Sequence, residues 1–248
     1  MTPDASSTPL SLSLVVPVYN APDLAATLLE QLPELAVTAA NCGFRLVETI
    51  LVDDGSTPPL CIPPDMDTQV RVLRHEPNRG KGFSVKHGAL AARGAYVLMS
   101  DVDLSAPFRE FVRLAVHADA WMVCGSRYGR PGMPWRRRFL SGLFHGIVWL
   151  AGVRGVHDTQ CGFKLFRMDV MRPIFEAQRI ERFAFDVEIV SRVQRAGGTV
   201  AEVPVAWKGG KRSSLRVSRD APRMLWDLLR ICFAPAKASP NDAPSEKA

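Results

Sequence analysis

Tyr96-Val-Leu-Met-Ser-Asp101-Val-Asp103-Leu-Ser-Ala-Pro107 is the stretch whose reading decides the fold. An apolar run ends in two acids one residue apart, and Pro107 follows at a position suited to a helix start. Side chains alternate faces along a strand, so Asp101 and Asp103 are expected on one side at the strand's end. Two carboxylates that close repel each other unless a cation lies between them. Hard divalent ions such as Mg²⁺ or Mn²⁺ take one or two carboxylates together with phosphate oxygens. Solvated turns and helix caps also produce an isolated Asp-x-Asp, so the surrounding chain has to decide its meaning.

Upstream, the sequence alternates between strand-like and helix-like segments. Leu12 to Val18 is a short apolar run, read as a buried parallel strand with Pro17 near its end. Residues 24–40 carry Leu24, Leu28, Leu32 and Leu35 at helical spacing, and Pro33 predicts a break within them. Phe44 to Val52 and Val70 to Leu73 read as the second and third strands, Gly82 to Ala92 as a helix, and Tyr96 to Met99 as the fourth strand. The alternation predicts a parallel sheet with right-handed crossovers. Such sheets bind ligands at the carboxyl ends of their strands. Polar clusters fall at those ends: Tyr19-Asn20, Asp53-Asp54 and Asp101-Asp103. Asn78-Arg79-Gly80-Lys81-Gly82 follows the third strand; its glycines permit close backbone approach and its cations suit a phosphate, although it lacks the Walker spacing.

Composition bounds the class. With 248 residues the chain can bury the core of one α/β domain. A formal charge of +6 and a pI near 9.3 point to a polyanionic partner: nucleic acid, an anionic membrane surface or a phosphorylated substrate. The five cysteines are scattered without paired spacing, which argues against a disulfide framework or a zinc site and for a reducing compartment. Residues 1–10 read as a flexible tail without the basic n-region of a signal peptide. No apolar run approaches the length of a membrane span, so the expected location is cytoplasmic, either soluble or peripheral on a membrane's cytoplasmic face.

These residues carry a family resemblance. Val16-Pro-Val-Tyr-Asn20, Val52-Asp-Asp-Gly-Ser56, Asn78-Arg-Gly-Lys-Gly82 and Asp101-Val-Asp-Leu-Ser105 resemble the successive motifs of family 2 glycosyltransferases with the GT-A fold. Gly125-Ser-Arg-Tyr128, Asp158-Thr-Gln-Cys-Gly-Phe-Lys164 and Phe185-Asp-Val-Glu188 narrow it to the polyprenyl-phosphate sugar synthases. Among these the dolichyl-phosphate β-glucosyltransferases are most similar, with the mannose synthases near relatives. The resemblance runs from about Leu12 to Ile231. It implies a nucleotide-sugar site with Asp53 at the base, Pro17, Tyr19, Asn20 and Asp54 around the nucleotide, and Lys81 near the diphosphate. Asp101 and Asp103 would hold the divalent metal, Mg²⁺ or Mn²⁺, with Asp103 the firmer ligand. Arg127 resembles an acceptor-phosphate ligand, as does one arginine of Arg136-Arg137-Arg138, taken as Arg137. Asp158, Gln160 and Glu188 fall where the family shapes the donor-sugar side. Ala21 stands where the family's first motif continues with an acid.

In the second half, a helix is expected after Pro107 and a strand over Ala120 to Cys124. Trp135 to Val153 reads as a helix with a basic start, serving either the core or a lipid interface. Cys161 is expected to be a small buried hydrophobe, and His157 has no second histidine at ligand spacing. Phe183 to Val193 should be a helix on which Asp186 and Glu188 cannot both face the site; the resemblance selects Glu188. Thr199 to Trp207 reads as a closing strand. Lys208 to Phe233 reads as a basic loop leading into an amphipathic helix, either a solvated face or a membrane-surface element. Residues 234–248 are Pro/Ala/Ser-rich and expected to be disordered.

The reading is therefore an α/β, mostly parallel GT-A domain over residues 11–233, with a nucleotide half at about 11–105 and an acceptor half at about 106–233. The expected activity is inverting transfer of a hexose, glucose from UDP-glucose, to a polyprenyl phosphate. GDP-mannose is the alternative donor. A basic nucleic-acid-binding protein is the alternative class, disfavoured because no zinc-finger, helix-turn-helix or RNA-binding motif occurs and the cations share the chain with clustered acids.

Overall fold

The computed structural model describes residues 8–62, 69–127, 148, 152–208 and 226–231. Its centre is a seven-stranded sheet in the order β3-β2-β1-β4-β6-β5-β7. The strands are β1 (Leu10–Val18), β2 (Phe44–Asp53), β3 (Val70–Arg74), β4 (Tyr96–Ser100), β5 (Met122–Ser126), β6 (Phe163–Arg167) and β7 (Val200–Pro204). The helices are α1 (Pro22–Glu30), α2 (Leu32–Asn41), α3 (Lys81–Ala91), α4 (Phe111–Ala115), α5 (Met168–Ala177) and α6 (Phe185–Arg195).

β1 is buried on both faces, which is why it reads as an unbroken apolar run. Leu12, Leu14, Val16 and Val18 pack into one cluster with α1 and α2, while Val15 points into the other with Ile50, Val52, Val85 and Phe185. The break expected at Pro33 separates α1 from α2. Gln31 ends one helix and precedes the next, so Pro33 falls in the first turn of α2, where a missing N–H costs no helix bond.

β1, β2, β3 and β4 pair in parallel, as the alternation predicts. The chain winds outward through β2 and β3, then returns to place β4 on the other side of β1. That reversal opens a crevice at the carboxyl ends of β1 and β4. β1 outruns its neighbour there: pairing with β4 ends at Val15, whereas pairing with β2 continues to Val18. The Val18 carbonyl accepts from Asp54 on the β2 side, so residue 17 faces the other way, and Pro17 costs the ladder no bond.

β6 is the departure from a purely parallel sheet. It runs antiparallel between β4 and β5, pairing Ser100 with Phe163 and Cys124 with Lys164. Its beginning therefore lies beside the end of β4, which brings Gly162 against Asp101. β1 starts at Leu10, inside the segment expected as a tail. The helix expected after Pro107 is a 3₁₀ turn, Phe108–Glu110, leading into α4. Residue 148 is helical, residues 152–153 at the end of the expected 135–153 helix are turn and coil, and residues 226–231 form a helical segment; the rest of that expected helix and most of the expected 208–233 segment lie outside the described residues, as do residues 1–7 and 232–248.

Candidate active site

The ends of β1 and β2 are stitched together. Asn20 adopts φ of 49°, a left-handed conformation that Asn tolerates through local hydrogen bonding. Its amide donates to Ser56 Oγ at 2.9 Å, and its Oδ1 accepts from the Thr57 amide at 2.9 Å. Tyr19 beside it is half-exposed. Asp53 is buried; its carboxylate accepts from the Ser56 and Leu60 amides at 2.9 and 3.0 Å and pairs with Arg74. Burial acts to raise its pKa, but these donors outweigh it and hold the carboxyl below its usual range.

Asp54 serves the neighbouring loop. Its carboxylate accepts from Asn78 Nδ2 at 2.9 Å and from the Arg79 and Gly80 amides at 2.8 and 2.9 Å. Gly80 has φ of 109°, and a Cβ there would stand 2.7 Å from the Glu181 carbonyl. The turn thus needs glycine for both conformation and space. It presents Lys81 as the first residue of α3. Asp53 and Asp54 are fully occupied inside the protein: one braces the β2 end and the other shapes the Lys81 turn.

Lys81 Nζ lies 2.6 Å from Asp101 Oδ1, with the Asp101 side chain 28% exposed. Asp101 rests directly on β6: its amide donates to the Gly162 carbonyl at 2.9 Å, and a Cβ at position 162 would fall 1.9 Å from Asp101 Oδ2. Asp103 turns back to accept from the Ser105 amide at 3.0 Å, with Leu104 between them at φ of 48°. Two acids therefore stand at one strand end, one already facing a cation. This donor set fits a divalent ion that draws its other ligands from phosphate oxygens and water. Among the described residues no group of three or more His, Cys, Asp or Glu side chains forms a complete protein-only metal site.

Behind Asp101 lies a charged pair that the sequence reading did not select. Lys164 projects from β6 into the core, where its Nζ meets Asp186 Oδ1 at 2.7 Å and donates to the Cys161 carbonyl. The side chains are 0% and 3% exposed, so neither charge has water to turn to. Burial would lower the lysine pKa, but Asp186 reverses this and holds it above the usual value. Burial pushes Asp186 up, opposed by Lys164 and then Lys81. The signal was present in the sequence as a lysine within the apolar run Phe163-Lys164-Leu165-Phe166. On α6, Asp186 is the acid turned toward this cluster. Glu188 instead accepts from the Arg179 and Ile180 amides at 3.0 and 2.7 Å and from Arg192 Nε at 2.8 Å. Glu188, the acid that the resemblance selects, has its carboxylate engaged in tying residues 179–180 to α6.

At the end of β5, Arg127 is held by Asp158. Its Nε and Nη2 each lie 2.7 Å from a carboxylate oxygen, its own amide donates to the same carboxylate at 2.8 Å, and Trp207 covers it at 5.0 Å. The hydrogen bond to Asp158 raises the Arg127 pKa against the effect of burial, and Arg127 in turn keeps Asp158 ionised despite its own burial. Gln160 points a buried Nε2 that has no hydrogen-bond partner among the described residues. Cys161 and Cys124 are buried, with thiol pKa values pushed up to about 12 by burial, so both are inert core groups. Arg137 lies outside the described residues.

Comparison with known proteins bears directly on this arrangement. The profile described as glycosyl transferase family 2 matches residues 13–175. The chain belongs to that family. As a family 2 glycosyltransferase it is 35% identical over 241 residues to a dolichyl-phosphate beta-glucosyltransferase of Dictyostelium discoideum, covering 90% of this chain and 74% of the relative. The Homo sapiens protein of that name is 33% identical over 217 residues, covering 79% of this chain and 67% of the relative. Among solved structures, glucosyl-3-phosphoglycerate synthase of Mycobacterium tuberculosis, solved with Mn²⁺, UDP-glucose and phosphoglyceric acid, superposes with a TM-score of 0.61 at 18% identity. It covers 92% of this chain and 80% of that one. Mannosyl-3-phosphoglycerate synthase of Rubrobacter xylanophilus gives 0.54 at 14% identity, covering 90% and 72%. The fold is GT-A, as the motifs implied.

Proposed function

We propose that this glycosyltransferase moves glucose from UDP-glucose to a polyprenyl phosphate, inverting the anomeric carbon. The observation that carries the reading is similarity at 35% identity to a dolichyl-phosphate beta-glucosyltransferase across 90% of the chain. The chemistry at the crevice supports it. Asp101 and Asp103 would hold a divalent ion, which when bound supplies positive charge to the departing diphosphate. Lys81, at the start of α3, adds a second cation on that side. The acceptor is a phosphate monoester, already anionic near neutral pH, so it needs orientation more than a general base. Arg127, with Arg137 from the basic run, would grip its oxygens in the planar two-point manner of guanidinium. One acceptor oxygen then attacks C1 of glucose as the bond to UDP breaks on the opposite face, giving a β-linked product from an α-linked donor. Pro17, Tyr19 and Asn20 would line the nucleotide end, braced from behind by the buried Asp53, and Gln160 the sugar end.

The acceptor is a lipid, so the enzyme must meet a bilayer. Among the described residues no helix is long and apolar enough to cross one. In 226–231, Leu228 and Ile231 are buried in the core while Trp226 and Leu229 are 60% and 40% exposed, with Arg230 beside Trp226. That division suits an interfacial contact with anionic head groups on the cytoplasmic side, aided by the basic residues that precede it in sequence.

The test is a donor screen with purified protein, a short isoprenyl phosphate and Mn²⁺ or Mg²⁺. UDP-glucose is expected to support transfer and GDP-mannose to fail; mannose transfer without glucose transfer overturns the donor assignment.

A further inference from the structure

Arg127 is held by a chain of acids reaching back to β7, and the outermost of them, Glu202, belongs to none of the family motifs. Glu202 pairs across the sheet with Cys124, two residues before Ser126 on the neighbouring strand. Its carboxylate is 13% exposed. One oxygen accepts from the Asp158 amide at 2.8 Å; the other accepts from the His157 amide at 2.8 Å and lies 3.0 Å from His157 Nδ1. The Ser126 hydroxyl adds a further hydrogen bond. A single carboxylate thus binds the end of β5 to the 157–158 loop from behind.

Asp158, fixed at its backbone, faces forward. Its Oδ2 accepts from both the amide and Nε of Arg127, and its Oδ1 accepts from Nη2. The carboxylate therefore grips Arg127 at its backbone and at the side of its guanidinium, whose carbon lies 5.0 Å from the centroid of the Trp207 ring. A guanidinium has five N–H groups in a fixed fork. Asp158 takes the Nε edge, so the Nη1–Nη2 edge remains. Nη1 has no acceptor among the described residues, and the Arg127 side chain is 36% exposed. That free edge is the one shaped for two oxygens of a phosphate.

We propose that Asp158 and Glu202 are positioning residues that aim the free edge of Arg127 at the acceptor phosphate. The inference rests on reading Arg127 as the acceptor's ligand, and it assigns Asp158 to the acceptor side, not the donor-sugar side. Holding a long side chain in place before the ligand arrives lowers the entropy lost on binding, an effect worth roughly two- to tenfold in affinity. It also makes Arg127 binding directional, because rotating the side chain would break its two guanidinium contacts to that carboxylate.

The experiment compares Asp158→Asn, Glu202→Gln, Arg127→Ala and the double variant R127A/D158N. The readouts are KM for citronellyl phosphate at saturating UDP-glucose, UDP-glucose affinity by calorimetry, and thermal melting. Asp158→Asn is expected to raise the acceptor KM about tenfold, the loss of one charge-assisted contact. Glu202→Gln, which sets an N–H against an amide N–H, should raise it about threefold, a smaller effect because Glu202 acts on Arg127 only through Asp158. Donor affinity should stay unchanged, and R127A/D158N should be no worse than R127A alone. Glu202→Asp, which keeps the charge, carries the test if Glu202→Gln does not fold. An Asp158→Asn effect that adds fully to Arg127→Ala, or an equal loss of donor affinity, overturns the assignment of Asp158. If Arg127→Ala leaves the acceptor KM unchanged, the acceptor reading of Arg127 falls and the proposal falls with it. If Arg127→Ala raises that KM while the folded Asp158 and Glu202 variants do not, only the positioning role is lost.

Discussion

Replacing Lys164 with Met should destabilise the protein severely, because it strands Asp186. The two side chains are 0% and 3% exposed and lie 2.7 Å apart, so neither can recruit water when its partner is removed. Breaking one side of a buried ion pair costs about 3–5 kcal/mol. For a chain of this size each kcal/mol lowers the melting temperature by about 2–4 °C, so Lys164→Met should melt roughly 6–20 °C below the native protein at pH 7. Burial raises the Asp186 pKa, and Lys164 is the largest influence opposing it. Without Lys164 the pKa should rise further, so the folded state of the variant binds a proton more readily than the unfolded state. Its stability should therefore recover as the pH falls through the raised folded value toward the ordinary carboxylate range. The double change Lys164→Met with Asp186→Leu replaces both charges with apolar groups and should regain most of the loss. Thermal unfolding followed by circular dichroism at pH 7 and pH 5 measures all three. A Lys164→Met protein that melts within about 2 °C of the native one, or a double variant no more stable than the single, would refute the account of this pair.

Three further outcomes are expected. Asp103→Asn removes charge from the strand end proposed to hold a metal and should lower turnover at least about a hundredfold while leaving the melting temperature nearly unchanged; a folded variant with near-normal turnover would remove Asp103 from the site. Glu48 is buried on β2, paired with Ser13 of β1; burial raises its pKa, but the Arg93 amide, Ser13, Arg71 and the Arg93 side chain together hold it below the usual glutamate value. A depressed folded pKa gives stability that is complete above the unfolded value, about 4.3, and lost as the pH falls through the folded one, so Glu48→Gln should flatten the acid limb of urea denaturation measured below about pH 4. Full-length protein should sediment with phosphatidylserine vesicles at low salt and be partly released near 1 M salt, where the screening length is about 3 Å, and Trp226→Ala should weaken sedimentation without altering charge; protein that stays in the supernatant at low salt contradicts the membrane contact.

The first half of the chain is legible because local pattern and tertiary placement agree there. Apolar runs bounded by acids, glycine and proline mark β1, β2, β3 and β4 to within one or two residues, and Pro33 marks the boundary between α1 and α2. The second half hides more. β6 is a short segment whose antiparallel insertion between β4 and β5 depends on long-range pairing that periodicity does not encode. α5 carries Pro173 in its interior, a residue that argues against helix on local grounds. The positions of Asp53, Asp54, Asp101 and Asp158 at strand ends and loops follow from the motifs, but their hydrogen-bond partners do not. Asp54 proves to shape the Lys81 turn, and Glu188 proves to bind residues 179–180. The Lys164–Asp186 pair and the Glu202 contacts join residues far apart in sequence, and only the folded sheet brings them within reach.

The central claim is glucose transfer to a lipid phosphate, and an acceptor competition tests it most directly. Purified protein with UDP-[1-¹³C]glucose and Mn²⁺ is offered citronellyl phosphate and 3-phosphoglycerate together, and the product is read by ¹³C NMR. The account predicts a β-linked glucosyl ester of citronellyl phosphate and no labelled 3-phosphoglycerate product. Glucose on 3-phosphoglycerate, or an α-linked isoprenyl product, would contradict it.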